Sequence, residues 1–251
     1  MGRVFALLAV GLLTGVSSGL FGIGGALIGT PLLRVLAELP PILALATPLP
    51  VAIPSALSGA AAYWRRGLVD KTLTVRTLRV AVPMTVLGSA ITHWISGAVL
   101  MVATALVLLY VAASMVVRSS AQATTAQTSL PSQRLTIASA VAGFAAGFLA
   151  IGGGIVLVPV FVRWLGVPIH RALATSLVCV AAMAIPGTLV HALLGHIDWV
   201  AAALVAVAAL PASRLGAAIA LRITSRTLEV LYGVVLGLFG VWFLVRTLLA
   251  Q

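Results

Sequence analysis

Three consecutive glycines, Gly152, Gly153 and Gly154, with Pro159 five residues on, stand inside an apolar stretch long enough to enter a bilayer. Glycine is unfavourable inside a helix and proline cannot continue the helical ladder, so no single helix runs through residues 147–159. A membrane-buried backbone is therefore broken here, and its freed polar groups demand protein or water around them. The same device occurs earlier, over residues 19–31, and a constant offset of 128 pairs Gly19 with Gly147, Gly24 with Gly152, Gly25 with Gly153 and Pro31 with Pro159.

The offset holds without a gap well beyond the breaks. It pairs Thr47 with Thr175, Gly59 with Gly187, Gly67 with Gly195, Asp70 with Asp198, Pro83 with Pro211 and Gly88 with Gly216. These are residues that set backbone shape and allow close approach, so the match is one of structure rather than of apolar composition. The chain reads as a tandem repeat: a first membrane repeat over 1–118, a cytoplasmic linker over 119–134 that is polar and low in complexity, and a second membrane repeat over 135–251.

Composition fixes the class. Apolar residues make up 62% and charged residues 8%, with a mean hydropathy of +1.22. A soluble domain would carry about a quarter charged residues. An all-α polytopic membrane protein follows, since long unbroken apolar runs show none of the alternation of a barrel. Each half contains five apolar pieces, about 4–20, 26–38, 41–64, 72–94 and 97–117, then about 135–149, 154–166, 169–193, 199–221 and 226–247. The second piece of each half is too short to span as a helix and reads as one arm of a glycine-broken hairpin, leaving three spanning helices. Trp64, Trp94, Trp164 and Trp199 fall at piece ends, where an interfacial belt places them.

The net charge of +11 comes from basic residues scattered between apolar segments, the pattern of cytoplasmic loops rather than of a nucleic-acid-binding arm. If each hairpin returns to its starting side, the halves are inverted. With the amino terminus outside, Arg65, Arg66, Lys71, Arg118, Arg134, Arg163, Arg171, Arg222 and Arg226 lie inside, against Arg3, Arg34 and Arg246 outside. If the first two pieces instead make one crossing, the halves are parallel and the asymmetry is poorer, so the inverted arrangement is expected. Residues 4–16, with Arg3 ahead and Ser17, Ser18 and Gly19 behind, resemble a signal peptide, but their internal counterpart at 132–147 assigns them to the fold.

The candidate site lies at the breaks. Helices beginning at Gly25 and Gly153 would present unpaired N–H groups and positive dipole ends at membrane depth, and Gly24, Gly25, Gly152, Gly153 and Gly154 could let an anion touch the backbone. The competing reading is that these glycines serve close helix packing alone. Thr47, Thr175 and Ser176 could add hydroxyl donors, although such residues in membranes more often bond a carbonyl or a neighbouring helix. Pro48, Pro50 and Pro54 shape the third piece. Arg214, deep in the fourth piece of the second half, could face an anionic substrate or could snorkel. His191 could exchange a proton, or be a packed polar group. Asp70 and Asp198 are in N-cap context. Cys179 is the lone cysteine and reads as a small buried side chain. No metal cluster, nucleotide loop, catalytic triad or paired membrane carboxylate is present in the pattern, so neither an enzyme nor a cofactor is indicated.

The spacing Gly15-x3-Gly19-x3-Ile23-Gly24-Gly25-x5-Pro31, its copy Gly143-x3-Gly147-x3-Ile151-Gly152-Gly153-Gly154-x4-Pro159, and the Ala-Leu-Ala-Thr175-Ser176-Leu177 stretch resemble the TauE/SafE (sulfite exporter, TSUP) membrane permeases. The resemblance covers both halves. It implies a multi-pass protein of the bacterial inner membrane that moves sulfite, a sulfonate or a related small organic anion. Its partners would be that anion and the lipid bilayer, with no nucleic acid. The first half departs from the second at Thr47-Pro48 against Thr175-Ser176, and at Ala26 against Gly154. An alternating-access exporter is expected, with a membrane scaffold or assembly protein, or an anion channel, as the alternatives.

Overall fold

The computed structural model describes residues 2–117, 132–150 and 152–249, and all the regular structure described is helical. The helices are α1 (Gly2–Phe21), α2 (Ala26–Leu36), α3 (Pro41–Ala46), α4 (Pro48–Trp64), α5 (Lys71–Ile91), α6 (Gly97–Val117), α7 (Ser132–Phe148), α8 (Gly154–Arg163), α9 (Ile169–Leu193), α10 (Trp199–Ala220) and α11 (Ser225–Leu249). Six segments are long and apolar enough to cross a membrane: α1, the α3–α4 unit, α6, α9, α10 and α11. Helix α5 carries Lys71, Arg76 and Arg79, and α7 is shorter. Helices α2 and α8, of 11 and 10 residues, reach only about half of the roughly 30 Å hydrocarbon layer. Residues 118–131, most of the expected linker, lie outside the described residues, and Ser132, Gln133 and Arg134 already belong to α7.

Local chemistry sets the ends of these helices. Asp70 Oδ1 accepts the Leu73 N–H and Asp198 Oδ1 the Ala201 N–H, each at 2.9 Å, so both aspartates are N-caps as their sequence context predicts. The proline run has a one-sided effect. Pro48 and Pro50 lack the N–H groups that would reach the Ala44 and Ala46 carbonyls, and the third piece divides at Thr47 into α3 and α4. Helix α9 has Ser176 and Val178 at the equivalent places and runs unbroken.

The two halves exchange partners reciprocally. Gly11, Gly15 and Gly19 of α1 lie against Val205, Ala209 and Ser213 of α10, stepping together, so these helices run parallel. In the same register Gly143 and Gly147 of α7 lie against Ala81 and Thr85 of α5. From the opposite helices, Gly216 packs on Val16 and Leu20, and Gly88 on Phe144 and Phe148. Apart from Gly11, whose place Ser139 takes in α7, every contact in one set is its counterpart in the other displaced by 128. Small residues here let helix backbones touch, which is how helices adhere where lipid offers no hydrophobic driving force. Helices α6 and α11 flank the bundle and run antiparallel, with Gly237 beside Ala112 and Gly240 beside Leu108.

Contacts at the helix ends sort them onto two faces. On one, Arg3 pairs with Asp198 at 3.1 Å and Gly97 abuts Pro41. On the other, Arg163 Nη2 donates to the Met115 carbonyl at 2.6 Å and lies 3.8 Å from Glu229, and His170 Nε2 stands 3.1 Å from the Ala220 carbonyl.

This packing makes a prediction. A Cβ on Gly216 would run into the Val16 carbonyl and stand 2.9 Å from the Leu20 nitrogen, whereas one on Gly187 meets nothing closer than 3.7 Å. Both glycines are helical. Gly216→Ala should therefore destabilise by about 1–3 kcal/mol and lower the melting temperature in detergent, while Gly187→Ala leaves it unchanged or slightly raised.

Candidate functional site

Helix α1 stops at Phe21 because the chain turns left-handed at Gly22 (φ 68°), Gly24 (φ 73°) and Gly25 (φ 81°) before α2 begins. The second break repeats this at Ala150 (φ 52°), Gly152 (φ 73°) and Gly153 (φ 75°) before α8. Alanine at 150 holds a conformation that glycine adopts freely at 22, at a cost of about 1–2 kcal/mol. Gly25 and Gly153 are the N-caps of the two half-helices, and neither position supplies a side-chain cap. Both helix starts thus fall where the sequence places them, and all five break glycines singled out above are buried.

The missing side chains are matched by close protein contacts rather than open space. A Cβ on Gly24 would strike Val180 Cγ1, one on Gly25 would meet the Thr14 methyl at 2.6 Å, and one on Gly152 would stand 3.2 Å from Val180 Cγ1. On Gly153 it would meet the Met183 methyl at 2.7 Å and Ala146 at 2.9 Å. On Gly154 it would meet the Gly22 carbonyl oxygen at 2.6 Å and Val180 Cγ2 at 2.8 Å. The two breaks therefore touch each other, with Val180 wedged between them. The equivalent residue in the first half is the smaller Ala52.

The hydroxyls expected at the site are engaged. Thr47 Oγ1 accepts the Asp198 N–H at 3.0 Å and Thr175 Oγ1 the Asp70 N–H at 3.1 Å, two identical bonds that tie each half to the N-cap of the other. Ser176 Oγ donates to the Gly22 carbonyl at 2.9 Å, across the halves and directly at the first break. Arg214 is exposed on the outward stripe of α10 that also carries Val207, Pro211 and Ala218, apart from the buried cluster, where its stem can lie along lipid. His191 is buried at the end of α9, its Nδ1 3.2 Å from His196 Nδ1. Partial burial, and then the charge of nearby His93, hold His196 below the ordinary imidazole range. Cys179 is buried and free. Among the described residues no group of His, Cys, Asp and Glu could hold a metal ion.

Sequence reasoning passed over four polar residues at the first break. Tyr63 Oη donates to the Gly19 carbonyl at 2.9 Å, and Ser55 Oγ lies 3.5 Å from the Gly24 carbonyl. Thr14 and Ser18 of α1 are fully buried against Gly25. The available signal was the offset itself: positions 14 and 18 correspond to Ala142 and Ala146 and position 55 to Met183, while Tyr63 corresponds to His191, so the first break is the more polar one.

A helical bundle with two buried, opposed half-helices is the framework of a polytopic membrane transport protein. The chain belongs to the sulfite exporter TauE/SafE family, whose match extends over residues 7–243. It is similar to a probable membrane transporter protein, YunE, of Bacillus subtilis (strain 168), with 24% identity across 93% of this chain and 94% of that protein. A probable membrane transporter protein of Xylella fastidiosa (strain 9a5c) is 34% identical over 103 residues, 41% of this chain and 40% of that one. No solved structure matches significantly.

The reciprocal threonine bonds can be tested directly. Thr47→Val and Thr175→Val keep the side-chain shape but leave an aspartate N–H without its acceptor, so each should cost about 1–2 kcal/mol in thermal unfolding, while the serine variants retain most of the stability.

Proposed function

We propose that the protein is a carrier for a small anion, sulfite or an organosulfonate, working by alternating access in the bacterial inner membrane. The observation that carries this reading is the meeting of two half-helix N-termini, α2 and α8, in the buried centre between the halves. Helix N-termini offer unpaired N–H groups and a positive dipole end, and anions bind there without a cationic side chain. Broken helices opposed between inverted repeats are a recurring transporter arrangement. The parallel pairing of α1 with α10 and of α7 with α5 supports an inverted relation of the halves, since α5 returns antiparallel to α4. Burial of the whole cluster supports an occluded conformation, from which access to either side requires the halves to move.

The field favours export. With the interior negative, each unit of negative charge leaving releases about 2.3 kcal/mol per 100 mV, a term that assists export by an uncoupled carrier. His191, at the end of α9 and paired with His196, is the residue that could take part in proton exchange. No enzymatic step is proposed.

Proteoliposomes loaded with unlabelled sulfite should accumulate labelled sulfite by saturable counterflow. Flux without saturation or counterflow would make the protein a channel, and neither flux nor ligand-induced thermal stabilisation by sulfite, thiosulfate, sulfoacetate or taurine would make it a scaffold. The topology has a separate test. Arg65 and Leu193 occupy equivalent, exposed positions at the α4–α5 and α9–α10 turns. In a Cys179→Ala background, Arg65→Cys should be shielded from an impermeant thiol reagent added outside and Leu193→Cys labelled by it; labelling of both from one side would remove the inverted arrangement.

A further inference from the structure

The two breaks share a backbone but not an environment. At the second, the N-cap Gly153 is packed by the methyl groups of Met183 and Ala146, and Gly154, which opens α8, is abutted by the Gly22 carbonyl oxygen, a partial negative charge of the chain itself. Neither of these side chains can donate a hydrogen bond. At the first, Gly25 is packed by Thr14, whose methyl and carbonyl oxygen lie 2.6 and 2.8 Å from its Cβ position, and by Ser18; these are the counterparts of Ala142 and Ala146, and Ser55 stands where Met183 does.

Their hydroxyls behave unlike most others in the bundle. Thr30, Thr74, Thr85 and Thr104 each return the hydroxyl to the carbonyl four residues back at 2.7–2.9 Å, and Ser17, in the same helix as Thr14, does so to Leu13. That bond is the ordinary solution for a hydroxyl in an apolar helix. Thr14 Oγ1 and Ser18 Oγ, both 0% exposed, make no hydrogen bond. Other buried hydroxyls also lack a partner, but these two lie against the N-cap glycine of a half-helix. Thr14 Oγ1 is turned to the first turn of α2, 3.4 Å from the point where a Gly29 side chain would begin, and Pro48 lines the same spot at 3.4 Å. The first α2 N–H to close a bond in this turn is that of Gly29, to the Gly25 carbonyl at 2.9 Å. The N–H groups ahead of it have no carbonyl within the helix, as at any helix start.

We propose that the anion is held asymmetrically, by the N-terminal N–H groups of α2 together with the hydroxyls of Thr14 and Ser18, while the second break forms the apolar wall facing it. This rests on the carrier reading above and deepens it. The ligand class is a compact oxyanion whose several oxygens can accept from the N–H groups and both hydroxyls at once. A buried hydroxyl without a protein partner is unfavourable in a low-dielectric interior, and an anion in contact with it removes that penalty. Thr47, Thr175 and Ser176 then serve the framework.

The experiment measures the affinity of purified protein for sulfite and sulfoacetate by calorimetry, with melting temperature recorded for every variant. Thr14→Val and Ser18→Ala should each weaken sulfite binding by roughly tenfold with little change in melting temperature, because a hydrogen bond to a charged group is lost and the shape is kept. Thr14→Ser should bind nearly as the wild type. Ala142→Ser, the mirror change in the second half, should leave affinity within a factor of about two. Wild-type affinity in both Thr14→Val and Ser18→Ala would overturn the asymmetric site and leave the carrier reading intact. A wild-type chain that binds neither probe and shows no counterflow would overturn the carrier reading, and this inference with it.

Discussion

Hydrocarbon offers no hydrogen bonds, so wherever the backbone leaves the helical ladder inside the bilayer the chain must satisfy it from within. The first break shows how completely this organises the structure. Its carbonyls at Gly19, Gly22 and Gly24 are approached by the hydroxyls of Tyr63, Ser176 and Ser55 respectively. Two of these come from α4 and one from α9, so the first half cannot close its own break without the second. The serine that the residue pattern offers as a ligand donor is thereby spent on backbone.

The same economy appears in the reciprocal bonds from Asp70 to Thr175 and from Asp198 to Thr47. Each aspartate caps a helix with its carboxylate while its own N–H reaches the opposite half. Together with the glycine contacts between α1 and α10, and between α5 and α7, they make an interface built from backbone contacts and few side chains. Such an interface has discrete packing solutions rather than a continuum, as the proposed alternating-access carrier would require. The polar inventory of the two breaks is unequal, and Val180 facing Ala52 makes the steric fit unequal as well.

Much of this was legible beforehand. The half-helix starts at Gly25 and Gly153, the capping roles of Asp70 and Asp198 and the burial of Cys179 agree with the sequence reading. Local rules suffice for these, since glycine, proline and capping aspartates act on their own few residues. Arg214 was harder. Its depth in α10 could be counted, but which face it occupies depends on how α10 rotates against α1 and α4, and that rotation turns it outward.

The sequence by itself determined the all-helical membrane class, the two-fold repetition at 128 residues and the places where the backbone must break, because hydropathy, glycine and proline impose these wherever the chain goes. Only the tertiary structure decided that the two breaks meet at Val180, that Thr47, Thr175 and Ser176 are engaged between the halves, and that Thr14 and Ser18 are buried without partners. Those outcomes depend on which atoms of distant segments arrive at the same point. Hydrogen-bond satisfaction is a property of the assembled pair of halves and is not carried by either segment alone.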